Sequence, residues 1–65
     1  MMKFVTFTDS VTRRKVSVCV YKINKCVELG DGTTNIWFAT KGEVINVLED
    51  HETVTMRLNA ATAAK

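Results

Sequence analysis

The chain has 65 residues, of which 46% are apolar and 25% charged, and its net charge is +2 near neutral pH. This length allows one domain, and the composition excludes both an unfolded, highly charged chain and a strongly basic polyanion binder. Two cysteines, one histidine and no spaced ligand pairs leave little for a disulfide framework or a structural zinc, so self-association is the expected support for a small core. No apolar run approaches the ~20 residues of a membrane span. Met1-Met2-Lys3 is not followed by a secretory hydrophobic core, which predicts a cytoplasmic protein with reduced thiols.

Residues 3–8 read as a first strand, with Phe4 and Thr6 on one face and Val5 and Phe7 on the other. Asp9-Ser10 opens a turn that continues through Arg14. Residues 15–21 alternate most cleanly in the chain: Val16, Val18 and Val20 face in, while Lys15, Ser17, Cys19 and Tyr21 face out. Lys22-Ile23-Asn24 reads as a short connection into residues 26–29, where Val27 and Leu29 share a side. Gly30-Asp31-Gly32 is the strongest breaker.

The stretch from Asn35 to Leu48 organises the rest. Its β-branched and aromatic residues flank Lys41-Gly42, and with those two as the loop, Phe38 falls opposite Ile45 and Ile36 opposite Val47 on one apolar face. Trp37 opposite Asn46 and Ala39 opposite Val44 make the other face only half apolar. The last segment fits two templates. Residues 53–58 alternate like a strand, yet Val47, His51, Val54, Leu58 and Ala61 fall at helical spacing behind Asp50, a natural N-cap. The expected fold is therefore mainly β: a small antiparallel meander or open barrel of about five strands over residues 1–58, with a short C-terminal helix or, alternatively, a sixth strand. Residues 59–65 are expected to form a flexible tail.

Thr33-Thr34-Asn35-Ile36-Trp37-Phe38, Thr40-Lys41-Gly42, Val47-Leu48-Glu49 and Val54 together resemble the small FlbD-like or SwrD-type swarming motility proteins. The likeness covers about two thirds of the chain. It departs where that family has proline-aspartate-threonine, here Asp31-Gly32-Thr33, and at an asparagine-proline with no counterpart. The resemblance implies a non-enzymatic bacterial or phage accessory protein with a β-rich core and a C-terminal helix.

Candidate sites are few. Cys19 and Cys26 would face each other across a two-residue Lys22-Ile23 turn, but opposed strand cysteines make a strained disulfide, and two small apolar thiols are the simpler reading. Arg13, Arg14 and Lys15, with Lys25, form the one basic cluster, which points to nucleic acid if exposed aromatics join it and otherwise to a solvated turn. His51 between Asp50 and Glu52 lacks a nucleophile beside it, and the glycine turn fits no phosphate-loop pattern, so no catalytic residue, metal or cofactor is expected. The expectation is a regulatory module that docks on a larger protein through Trp37, Phe38 and Tyr21, since large aromatics dominate interface energies. A nucleic-acid binder using the basic cluster and an oligomeric small-ligand or sequestering protein are the alternatives.

Overall fold

Alternation decides the first two strands. In the computed structural model, which describes residues 3–63, β1 (Phe4–Thr8) buries Val5 and Phe7, and β2 (Lys15–Cys19) turns Val18 and half-buried Val16 to the same side. They pair antiparallel with Val5 opposite Val18 and Phe7 opposite Val16. The strand expected to reach Tyr21 instead ends at Cys19 and winds into a short 3-10 helix (Val20–Lys22), which keeps Val20 in the core.

That turn feeds β3 (Ile23–Glu28), which pairs with β4 (Thr34–Phe38), which pairs with β5 (Val44–Val47), all antiparallel. A register shift between Ile23 and Lys25 bulges β3, so Cys26 faces Ile36 on the core side and Val27 points out. The β3–β4 connection closes with the Leu29 N–H bonded to the Thr33 carbonyl and Gly32 at φ +88°. The β4–β5 hairpin corrects the expected register by two residues. Phe38 N–H bonds to the Glu43 carbonyl, leaving residues 39–42 as a four-residue loop with Gly42 at φ +84°, so Ile36 meets Ile45 and Thr34 meets Val47. A shift of two keeps every side chain on its face, so the expected buried side survives the change.

The ambiguous last segment is a helix, α1 (His51–Ala63). Asp50 caps it, its carboxylate accepting the Thr53 N–H at 2.8 Å while its carbonyl accepts the Val54 N–H at 3.0 Å. Val54 is fully buried, with Leu58 and Ala61 packed half-buried behind it, and α1 lies against β1, β3 and the 3-10 turn. Residues 59–63, read from sequence as the start of a flexible tail, continue the helix.

The two sheets are joined edge to edge. An isolated Asp9–Val47 bridge sits between Ser10 N–H to the Asn46 carbonyl, 3.0 Å, and Leu48 N–H to the Thr8 carbonyl, 2.9 Å, so the strands run β2-β1-β5-β4-β3 in space. Glu49 holds this join. Its carboxylate accepts the Thr8 N–H at 3.0 and 3.1 Å and the Thr8 hydroxyl at 3.2 Å, and its carbonyl accepts the hydroxyl of Thr34 at 2.9 Å. Thr34 is the one fully buried polar residue among those described. Arg57 of α1 completes the group, donating to the Thr6 carbonyl at 3.0 Å, standing 3.5 Å from Glu49 Oε2 and covering the Phe7 ring.

Burial alone would raise the Glu49 carboxyl, but bonds from Thr8 and from its own amide, with the Arg57 charge, hold it below the usual glutamate range. A depressed folded pKa gives stability that is fully present above the ordinary glutamate pKa and is lost as pH falls through the folded value. Glu49→Gln should therefore lower stability by about 1–2 kcal/mol at neutral pH, with the difference from the wild type shrinking towards zero in acid. Thermal melts at neutral pH and below pH 4 check this, and a gap that stays constant with pH would contradict it.

Candidate functional site

β1 is paired along one edge and bonded at Thr6 and Thr8 along the other. Val20 N–H to the Lys3 carbonyl and Asp9 N–H to the Arg14 carbonyl bracket the β1–β2 ladder, so alternation directs the backbone groups of Val16 and Val18 towards β1. The same alternation turns Phe4, Thr6 and Thr8 to the other edge, where the Thr6 carbonyl meets Arg57, the Thr8 N–H meets Glu49 and the Thr8 carbonyl meets Leu48. In β2 it aims the N–H and C=O groups of Lys15 and Ser17 and the N–H of Cys19 away from β1, on the side where no further strand pairs, while the Cys19 carbonyl caps the 3-10 turn.

Beside that edge lies an open groove of about 450 Å³. Val16, Val18, Phe38, Val44 and Ile45 give it an apolar lining, and Ser17, Thr40, Lys22 and Glu43 add polar groups. One wall is β2, and the other is the β4–β5 hairpin. Val44, 39% exposed and paired with Trp37 on the outer face, borders the groove at its rim and is accessible without disturbing the core. The opposite edge strand differs: β3 is bulged and α1 packs against it, two devices that blunt an edge.

The three aromatic residues singled out from sequence do not form one patch. Phe38 is in the groove, half-buried against the core. Trp37 is on the outer face, opposite Val44 on one side and Lys25 on the other, with Lys25 Nζ 5.5 Å from its ring centre. Tyr21, 62% exposed, stands on the 3-10 turn next to Lys22, which lines the groove. Arg13, Arg14 and Lys15 cluster, all exposed, at the β1–β2 turn and the start of β2, whereas Lys25 is on β3 at the far edge. Both cysteines are free, because β2 and β3 meet through the 3-10 turn and do not pair. Burial raises the Cys26 thiol pKa.

The residues that sequence reasoning missed as a site are Val16, Val18 and Ile45, read there as core. Their alternation is that of core residues, and nothing in it tells that one wall of the core is left uncovered. If Ser17 faces an open edge, Ser17→Pro removes a donor that bonds to nothing in the ladder, while Val18→Pro breaks the β1 pairing. Circular dichroism should show Ser17→Pro folded, melting within a few degrees of wild type, and Val18→Pro unfolded. Equal loss in both would place Ser17 inside a sheet.

No protein-family model, curated protein or solved structure matches the chain.

Proposed function

We propose that this chain is a non-enzymatic accessory module that binds a larger protein by adding an extended segment of it to β2. The observation that carries the reading is the coincidence of an unpaired strand edge with an apolar groove. An added strand gains main-chain hydrogen bonds from Lys15, Ser17 and Cys19, and its alternate side chains enter the groove over Val16, Val18, Phe38 and Ile45. The first source of affinity is indifferent to sequence, and the second selects apolar residues at every other position. Tyr21, exposed on the 3-10 turn at the C-terminal end of β2, extends the contact beyond the added strand, and Trp37 offers a separate surface on the outer face. The resemblance to small motility accessory proteins supports the same class of function, and two free thiols suit a reducing compartment such as the cytoplasm.

Peptides selected by display on the wild-type chain should carry apolar residues at alternate positions. Ser17→Pro and Val44→Arg should each weaken their binding by at least about tenfold, as expected for losing an edge hydrogen bond or crowding an apolar pocket with a charge. Binding that survives both substitutions unchanged would overturn the reading.

A further inference from the structure

Charge is unevenly placed along β2. Arg13, Arg14 and Lys15 stand together at its N-terminal end, all exposed, and among the described residues the one ion pair is Arg57 with Glu49, so none of the three is neutralised by a carboxylate within 4 Å. The nearest acid in sequence, Asp9, is engaged with its own turn, one carboxylate oxygen accepting the N–H groups of Val11 and Thr12. The turn holds its cations in place: Arg13 adopts φ +62° and its N–H bonds to the Asp9 carbonyl at 2.9 Å. Three cations fixed at one end of an open strand edge favour a complementary end on the segment that pairs there.

A second copy of the chain fits this edge poorly. Two β2 strands paired antiparallel about Ser17 bring Arg13 of each copy opposite Tyr21 and Arg14 opposite Val20 of the other, with Lys22 one position beyond Arg13, adding a cation to a basic end. An acidic segment meets no such repulsion. Antiparallel pairing is the more stable geometry per residue, and it sets the added strand's C-terminal end against the N-terminal end of β2.

Resting on the strand-addition reading, we infer that the partner segment is an extended peptide that runs antiparallel to β2, with alternating apolar residues followed on their C-terminal side by Asp or Glu. Arg13, Arg14 and Lys15 receive the acidic end, and the groove takes the apolar residues. Glu43, on the opposite wall, discourages acidic residues over the groove itself and so sharpens the polarity of the match.

The test uses the full chain, isotopically labelled, and acetylated peptides Val-Thr-Val-Thr-Val ending in Asp-Glu, Gln-Asn or Lys-Arg, with a fourth peptide carrying Asp-Glu at the N-terminal end. The C-terminally acidic peptide should bind about tenfold tighter than the basic one at low salt, since several exposed ion pairs of up to about 1 kcal/mol each are at stake. Its advantage should fade as salt rises. The double substitution Arg14→Glu with Lys15→Glu, on exposed positions, should reverse the order, and Arg14→Gln with Lys15→Gln should level it. Equal affinity for all four peptides, with amide shifts still centred on Lys15, Ser17 and Cys19, would overturn the acidic preference and leave strand addition standing. Absence of shifts at those three amides with every peptide would overturn both. A peptide-free chain that dimerises through β2 would assign the edge to a second copy, and oligothymidylate binding the basic turn more tightly than the acidic peptide would assign the cations to nucleic acid; either result overturns the inference.

Discussion

Glu49 stands where the two sheets meet, and its carboxylate does for β1 what a neighbouring strand would otherwise do. β1 is paired to β2 on one edge and touches β5 only at its end, through Asp9 and Val47. Along the remainder of that second edge, the Thr8 N–H and the Thr6 carbonyl are taken up by Glu49 and Arg57. A half-buried backbone donor left without a partner costs about 1–3 kcal/mol, so these two side chains stabilise the end of β1 that reaches the join. The carbonyl of Glu49 anchors the same corner from the other side, through the hydroxyl of buried Thr34. Asp50 then starts α1 at the next residue, so the sheet join and the helix start are set within two positions of each other.

With β1 held at Thr6 and Thr8 on its second edge and β3 bulged beneath the helix, β2 is the strand whose edge faces an apolar groove. That strand is five residues long, regular in its register with β1 and bordered by an apolar groove that α1, lying on β1, β3 and the 3-10 turn, does not line. Such an edge is a hazard for aggregation unless it is short, charged or used. β2 is short, and it carries Lys15 behind the exposed cations Arg13 and Arg14. The same features that limit self-pairing leave room for a chosen partner, which is why edge protection and binding selectivity read as one arrangement here.

The faces of the strands were legible from residues alone. Val5, Phe7, Val18, Ile36 and Val47 are buried as alternation requires, and Asp50 caps the helix that its position suggested. The β4–β5 register was not, because Gly42 suits the last position of a four-residue loop as well as the second of a two-residue one. Nor was the bulge in β3, which turns Cys26 to the core and Val27 outward without any glycine or proline to mark it. The groove was least legible of all. It depends on which strands are neighbours in space, and the join of β1 to β5 rests on Glu49 and Arg57 reaching back to Thr8 and Thr6, contacts distant in sequence that no periodicity announces.

Strand addition requires β2 to be an open edge, and hydrogen exchange of its amides measures that directly. Alternation along the strand predicts rapid exchange at Lys15, Ser17 and Cys19 and protection at Val16, Val18 and Val20, whose N–H groups bond to β1. That pattern in dilute, partner-free protein would establish the free edge on which the proposed binding depends. Uniform protection along β2 would show that the edge is already paired, and the groove would then be an internal or intermolecular seam with nothing left to offer a partner.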